Sequence, residues 1–285
     1  MTIQSASIYL LAGPTASGKS AKALAWAERT GGTILNADSM QLYADVPTLT
    51  AAPSADERER APHLLYGHLS PSETWSAGDW LRAALPHINA ATPQSPLCVV
   101  GGTGLYFNTL VYGLAEIPEV SADNRRTARQ ASDTLDEPSF RQMLKAHDPR
   151  AEARIKPNDR QRLSRAYEVW LQTGVALSDW QDQTRPALPA GTYDLEILRP
   201  DRDWLYARCD TRLSAMLAGG ALDEVRALLA KGPRPDWPIM RVLGLAECVA
   251  HLKGDLTFDA ALSLAQQVTR NYAKRQMTWF RNQFR

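Results

Sequence analysis

The segment GPTASGKS at 13–20 constrains the fold of this chain more than any other feature of its sequence. It matches the pattern GxxxxGK(S/T) in full and lies between an apolar run, IYLLA at 8–12, and a predicted helix over about 18–29. In that context the glycines let successive backbone N–H groups face one anion, and the helix N-terminus adds its dipole. The segment therefore predicts phosphate binding, without deciding whether a phosphoryl group is transferred. Its residues are Gly13, Pro14, Thr15, Ala16, Ser17, Gly18, Lys19 and Ser20, of which Lys19 would bring a charge to the phosphates and Ser20 a hydroxyl to Mg²⁺.

The remainder of the chain predicts an α/β fold with an insertion. Strand-like runs at 8–12, 33–37, 97–100 and 193–200 alternate with helical stretches, including one over about 77–90. This alternation is typical of a parallel sheet flanked by helices. Between about 118 and 190 only helical periodicity is present, and helices are again predicted over 203–218, 221–231, about 239–252 and from about 258. We predict a phosphate-loop (P-loop) parallel sheet core formed by 1–117 and 191–285, interrupted by an all-helical insert domain at 118–190.

Composition indicates the class of protein and the cellular compartment in which it works. The chain has 285 residues, 44% of them hydrophobic, and a net charge of +1, as expected for a soluble globular protein. Cys98, Cys209 and Cys248 lie far apart without a CxxC pair, which argues against a zinc site or a disulfide framework. No apolar stretch approaches the roughly 18 residues that a membrane span needs. We expect a cytoplasmic, monomeric protein with no membrane partner.

Polar residues follow three of the predicted strands, at the edge of a parallel sheet where ligands bind. The first strand leads into the phosphate loop, the second into Asn36-Ala37-Asp38, and the run at 97–100 into Gly101-Gly102-Thr103-Gly104. Asp38 could bind a metal ion, act as a general base, or simply cap the next helix. These three interpretations stay open on spacing alone, and a tight strand-to-helix turn would also look like GGTG.

Four segments together resemble one family. GPTASGKS, NADSMQLY, GGTGLYF and TRNYAKRQMTWFR occur in the order and at about the intervals found in bacterial tRNA dimethylallyltransferases, also called tRNA isopentenyltransferases. Supporting matches are NDRQRLSRAYEVW at 158–170, LYARCDTRLSAML at 205–217 and MRVLGLAE at 240–247. The resemblance spans nearly the whole chain and is far more specific than any single motif.

The resemblance implies a reaction and roles for particular residues. Such enzymes move the dimethylallyl group of dimethylallyl diphosphate onto N6 of the adenosine just 3′ of the tRNA anticodon and release diphosphate. Asp38 would then be the general base, Thr103 would donate to the bridging oxygen, and Arg241 would add a clamp on the diphosphate. Residues 13–20 would hold the leaving group, with Mg²⁺ as cofactor beside Ser20.

The resemblance also implies which residues contact the tRNA anticodon stem-loop. Asp38, Ser39, Met40, Gln41 and Thr103 would meet the target nucleotide, which must leave the base stack. Gln41 carries a donor and an acceptor suited to an adenine edge. The insert would supply Arg125, Gln161, Arg162, Leu163, Ser164 and Arg165, in a region where 141–165 holds eight Lys/Arg against three Asp/Glu. In the last helix Lys274 shares an arc with Arg270 and Arg281. A second arc of the same helix carries Tyr272, Gln276, Trp279 and Gln283. The aromatic residues of this second arc would suit either stacking on RNA or packing in a core.

The chain departs from the family pattern at accessory positions. After DSMQLY, Ala44 and Ala52 stand where family members usually have basic residues, so one or two phosphate or RNA contacts would be lost. The alternatives are a phosphate-loop small-molecule kinase, a prenyltransferase acting on free adenine nucleotide, and a non-catalytic nucleotide-dependent or RNA-binding protein. GGTGLYF and YAKRQMTWF argue against the first, the basic insert against the second, and a base candidate at a strand end against the third.

Overall fold

The computed structural model of the chain describes residues 7–284. These residues form two compact units: one contains the chain up to Val111 and again from Leu188 onward, and the other comprises Tyr112–Ala187. The predicted insert, 118–190, differs from the second unit by six residues at one boundary and three at the other.

The larger unit is built on a five-stranded parallel sheet with the order β3-β2-β4-β1-β5. Its strands are β1 (Ile8–Ala12), β2 (Thr33–Asn36), β3 (His63–Leu64), β4 (Leu97–Gly101) and β5 (Asp194–Ile197). The predicted α/β class with a parallel sheet is confirmed. β3 was not predicted, because two residues are too few to show an apolar pattern.

Helices of the first half of this unit cover the sheet and lead the chain between strands. They are α1 (Lys19–Thr30), α2 (Pro47–Thr50), α3 (Ala55–Arg60), α4 (Ala77–Asn89) and α5 (Gly104–Tyr112), with a 3₁₀ turn at Ser39–Leu42. Trp80 of α4 is fully buried; its Nε1 donates to Asn36 O at 2.8 Å and its ring stacks on Tyr106 of α5 at 4.3 Å. This packing fixes the carboxyl end of β2, from which Asp38 follows.

The last part of the chain is helical and returns to the same unit. It contains α11 (Arg202–Met216), α12 (Leu222–Ala230), α13 (Leu245–Lys253) and α14 (Phe258–Gln283), with a π turn at Leu217–Ala221 and a 3₁₀ turn at Pro238–Arg241. The single helix predicted over 239–252 is wrong. The 3₁₀ turn ends at Arg241, because Val242 is no longer helical, and α13 begins only after Gly244, which adopts a left-handed φ of +81 at its N-cap.

The second unit contains five helices in its described residues: α6 (Ala122–Thr134), α7 (Glu137–Lys145), α8 (Pro149–Arg154), α9 (Arg160–Thr173) and α10 (Leu177–Asp182). Phe140 and Leu144 of α7 pack against Leu163 and Ala166 of α9, and all four are buried. Leu163 and Ala166 of α9 therefore belong to this unit's core. Over residues 7–284, no helix has the length and apolar character required to cross a membrane.

Candidate active site

The phosphate loop connects β1 to α1 and leaves the start of the helix open to an anion. Ala16 and Gly18 adopt φ values of +63 and +88, which curl the backbone, and no side chain caps the first turn of α1. The first N–H groups of a helix have no partner within it, so this turn presents free donors. Lys19 is 9% exposed and its Nζ donates to Pro14 O at 3.2 Å.

Burial and charge both act on Lys19. Desolvation lowers the pKa of Lys19 to about 8; the Asp38 carboxylate opposes this fall, and the Arg212 guanidinium adds to it. A phosphate anion bound beside Lys19 would favour its charged form.

Two arginines of α11 reach the same loop. Arg208 Nε donates to Ala16 O at 3.1 Å, and the guanidinium of Arg212 donates to Thr15 Oγ1. Burial lowers the pKa of Arg212, whereas Arg208 is exposed and also stacks over the Trp204 ring. Neither arginine was predicted as a site residue. The available signal was their spacing of four residues, which places both on one face of the predicted helix LYARCDTRLSAML.

Asp38 and Thr103 meet through Ser39. Asp38 Oδ1 accepts from Met40 N at 3.1 Å and so caps the 3₁₀ turn, which is one of the roles that the sequence left open. Thr103 Oγ1 accepts from Ser39 N at 2.9 Å and lies 3.3 Å from Ser39 Oγ. A carboxylate offers about four lone-pair sites, so the cap leaves Asp38 free to accept a further proton.

The glycines of GGTG make close contacts with two other parts of the chain, the segment after β2 and helix α14. A Cβ on Gly101 would lie 2.0 Å from Ala37 O, one on Gly102 would lie 2.2 Å from Gln276 Nε2, and one on Gly104 would lie 2.1 Å from the Trp279 ring. Real Cβ atoms do not approach other heavy atoms so closely. The GGTG turn is therefore a packed junction between β2, the phosphate loop and α14.

Two cavities adjoin the loop, and Arg212 lines both. The smaller, of about 50 Å³, combines Thr15, Asp38 and Arg212 with apolar side chains that include Met40, Leu213 and Met216. The larger, of about 300 Å³, follows the loop from Ala16 to Ser20 and also reaches Arg208 and Ala52. The arrangement places a carboxylate and cationic groups around a small, partly apolar space beside an anion cradle.

Comparisons with known proteins identify the family. The family model described as IPP transferase matches residues 41–283, and the one described as isopentenyl transferase matches residues 6–65. The chain is 52% identical to the tRNA dimethylallyltransferase of Caulobacter sp. (strain K31), over 97% of this chain and 90% of that protein. It is 53% identical to that of Phenylobacterium zucineum (strain HLK1), with the same coverage. The chain belongs to the tRNA dimethylallyltransferase family.

Solved structures agree with this membership. The tRNA delta(2)-isopentenylpyrophosphate transferase from Staphylococcus epidermidis is 31% identical, with a TM-score of 0.66 over 98% of this chain and 91% of that one. A eukaryotic dimethylallyltransferase, described as acting on tRNA, is 26% identical, with a TM-score of 0.82 over 96% of this chain and 69% of that one.

The structure shows the hydrogen bonds and the exposure of the residues that were predicted to contact tRNA. In the larger unit, Gln41 Nε2 donates to Thr50 O and Ala51 O, so its amide nitrogen is used within the chain and its Oε1 alone is left for a base edge. Lys274 and Arg241 are exposed. Arg241 lies near Tyr43 and lines neither cavity, so its predicted contact with diphosphate stays a prediction, and the loop arginines are Arg208 and Arg212.

In the insert unit, Gln161, Arg162 and Arg165 are exposed on α9, Ser164 is half-buried, and Arg125 is exposed on α6. Arg162 and Arg165 pair with Asp159 and Glu168 at 3.3 Å, and Arg125 pairs with Glu119 at 3.6 Å. Leu163 is corrected: its side chain is fully buried in the core of this unit, so it cannot contact tRNA and serves to orient its neighbours.

Of the second arc predicted on α14, Gln276 is buried, Tyr272 and Trp279 are half-buried, and Gln283 is exposed. Gln276 is 5% exposed, and Trp279 packs over Gly104. Arg270, from the basic arc, pairs with Asp210 at 2.7 Å. Of the two interpretations that the sequence left open, packing describes Gln276 and Trp279.

The residues at the loop fit a Mg²⁺ ion held largely by a bound diphosphate. Residues 7–284 contain no group of three or more His, Cys, Asp or Glu side chains that could hold a metal by themselves. Ser20 is exposed at the start of α1, and Ser17 Oγ is buried without a hydrogen-bond partner. Since Mg²⁺ in proteins keeps several waters and takes substrate phosphate oxygens, one hydroxyl and a diphosphate are a sufficient set of donors.

Proposed function

We propose that this tRNA-modifying prenyltransferase binds the diphosphate of dimethylallyl diphosphate at its phosphate loop and transfers the dimethylallyl group to N6 of the adenosine 3′ of the anticodon. The observation that carries the proposal is the small cavity in which Asp38, Thr15 and Arg212 surround an apolar space, next to the anion cradle of residues 16–20. An allylic chain, a diphosphate and an amine need those three environments side by side. Family membership favours this reaction over a small-molecule kinase or an enzyme of free nucleotides.

The loop and α11 would stabilise the leaving group. As the bond between the allylic carbon and the bridging oxygen breaks, its electron pair goes to the diphosphate. The first N–H groups of α1, together with Lys19, Arg208 and Arg212, surround the oxygens that gain this charge. Donors already oriented toward developing charge lower the barrier without reorganising.

Asp38 would accept the proton that N6 loses when its lone pair forms the new C–N bond. An exocyclic amine is a weak nucleophile, and a carboxylate within hydrogen-bond reach both orients it and takes its proton. Thr103 accepts a hydrogen bond from Ser39 N and directly follows Gly102, beside which the Asp38 carboxylate lies. Once diphosphate is bound, Thr103 would donate its hydroxyl to the bridging oxygen. That donation would replace its 3.3 Å contact with Ser39 Oγ.

Ser20 would hold Mg²⁺, and the ion would supply positive charge to the diphosphate oxygens. We also propose that the enzyme acts as a monomer in the cytoplasm. The three cysteines are free and buried, as expected in a reducing compartment.

The test is transfer of label from dimethylallyl diphosphate to unmodified tRNA in the presence of Mg²⁺. Asp38→Asn retains an oxygen to cap Met40 N but cannot take a proton, so we expect kcat to fall by about 10²–10⁴-fold while diphosphate binding survives. If the wild-type protein hydrolyses ATP and leaves tRNA unlabelled, the proposed function is wrong. If Asp38→Asn loses diphosphate binding instead, Asp38 serves the metal rather than the amine.

A further inference from the structure

Gln276 connects two catalytic loops that are far apart in sequence. Its Oε1 accepts from Thr15 N at 2.8 Å, and its Nε2 donates to Gly102 O at 2.8 Å. Thr15 belongs to the phosphate loop and Gly102 to the GGTG turn, while Gln276 lies in α14, 261 residues from Thr15. A backbone N–H can only donate and a carbonyl can only accept, so the two partners fix the orientation of this amide.

The side chain occupies a slot that exists because residue 102 is glycine. A Cβ at that position would lie 2.2 Å from Gln276 Nε2, 3.2 Å from Asp38 Oδ2 and 3.3 Å from Gly13 O. The amide, the proposed base and the first residue of the phosphate loop thus meet at one point. Tyr272 lies one turn earlier on α14, close enough to Gln276 for this amide to act on the pKa of its hydroxyl.

We propose that Gln276 is a positioning residue, which sets the distance between the leaving-group cradle and the base-bearing side of the site. This inference rests on the proposed function. Attack by N6 opposite the departing diphosphate requires the allylic carbon to stand in line between Asp38 and the phosphate loop. The two loops follow different strands, β1 and β4, and the Gln276 amide bridges them. A misplacement of about 1 Å in such a geometry costs about 10²-fold in rate.

The matching of donor and acceptor explains why a glutamine is needed. An ionised glutamate could accept from Thr15 N but would set a negative oxygen against Gly102 O, beside the Asp38 carboxylate. Methionine has nearly the same length and volume but makes neither bond. A protonated glutamate would restore both, since its carbonyl oxygen accepts and its hydroxyl donates.

The first test compares Gln276→Met with Gln266→Met. Gln266 lies on the same helix and bonds Asp210 O and Ser214 Oγ of α11, so it controls for general packing of α14. We expect Gln276→Met to lower kcat by about 10²-fold while the Kd for inorganic diphosphate changes by less than about threefold, because the N–H groups of residues 16–20 are untouched. Gln266→Met should leave kcat near that of the wild type. Equal losses of kcat in both variants, or a rise in the diphosphate Kd with unchanged kcat, would overturn the proposal.

A pH profile supplies a readout that a purely structural role would not move. The Gln276→Glu carboxyl would face Asp38, Tyr272 and, across Thr15, Arg212; burial and Asp38 raise its pKa, and Arg212 lowers it. We expect the kcat of Gln276→Glu, divided by that of the wild type at each pH, to rise as the pH falls from about 8 to about 6. A ratio that is flat over this range would contradict the proposed pair of bonds.

Hydrogen exchange separates this inference from the proposed function, because it needs no activity. The Thr15 amide should exchange faster in Gln276→Met than in the wild type or in Gln266→Met. If the wild type fails to prenylate tRNA while this protection pattern holds, the function is wrong and the contact stands. If Thr15 exchanges equally in all three proteins, the positioning role fails whatever the activity.

Discussion

Lys19 is the residue whose environment most directly predicts a pH dependence of binding. Its pKa of about 8, against an ordinary value of 10.5, means that the free enzyme carries a neutral Lys19 above pH 8. An alkyl diphosphate has lost its last proton by then, since such groups titrate near about pH 6. We therefore expect affinity for a non-reactive alkyl diphosphate to fall as pH rises above 8, with uptake of about one proton per ligand at pH 9.

Calorimetry in two buffers of different ionisation enthalpy measures that uptake directly. Lys19→Met should bind weakly and without proton uptake, and equal affinities at pH 7 and 9 in the wild type would refute the assignment.

The lowered pKa of Lys19 also affects the free energy of unfolding in a defined direction. Between pH 8 and 10.5 the unfolded chain binds more protons at this residue, so its contribution to the free energy of unfolding increases with pH across that window.

Arg212 illustrates why the type of cation matters at the loop. Its planar guanidinium donates to Thr15 Oγ1 and still has further N–H groups directed at the two cavities it lines. Arg212→Lys keeps the charge but cannot make both contacts, so we expect about tenfold weaker binding of diphosphate. Arg202→Lys, at the exposed start of the same helix, is the matched control and should bind as the wild type does. Similar affinities in both variants would show that Arg212 does not touch the ligand.

At the scale of elements, the GGTG turn is held by backbone as well as by side chains. A Cβ on Gly101 would meet Ala37 O at 2.0 Å, and this carbonyl already accepts from Thr103 N at 3.1 Å, so neither strand can move freely. We expect Gly101→Ala to reduce the free energy of unfolding by about 1–3 kcal/mol, as overpacking does in other cores. Denaturant unfolding measures this change. Gly219→Ala is the control, because nothing lies within 4 Å of its Cβ position; a similar loss there would contradict the packing argument.

The elements also show where sequence reasoning succeeds and where it ends. β1, α1 and β4 were predicted within one or two residues because an apolar run, the phosphate loop and GGTG are local signals. Arg208 and Arg212 were missed because they reach the loop from 192 and 197 residues away, and their spacing of four residues does not show what that helix face approaches. Gln276 was noticed on the second arc of α14, beside aromatic residues, but its place against Gly102 is a contact that no helical periodicity can reveal.

At the scale of the whole molecule, the distribution of charge implies that the binding of tRNA and the binding of dimethylallyl diphosphate respond differently to salt. The net charge is +1, so attraction to tRNA must come from local basic surfaces rather than from the total. Arg162 and Arg165 are exposed on α9 of the insert unit, whereas Lys19 and Arg212 are largely withdrawn from solvent in the larger unit. Screening by salt weakens exposed contacts far more than buried ones.

We therefore expect the KM for tRNA to rise steeply with salt while the Kd for dimethylallyl diphosphate changes little. Replacing Arg162 and Arg165 together by alanine should reduce the slope of log KM against log salt by about 1–2, since each lost phosphate contact removes nearly one released counterion. Arg226→Ala, an exposed and ion-paired arginine of α12, is the control and should leave the slope unchanged. An equal slope in the double variant and the wild type would show that α9 does not contact tRNA, because the slope depends on how many phosphates these side chains neutralise.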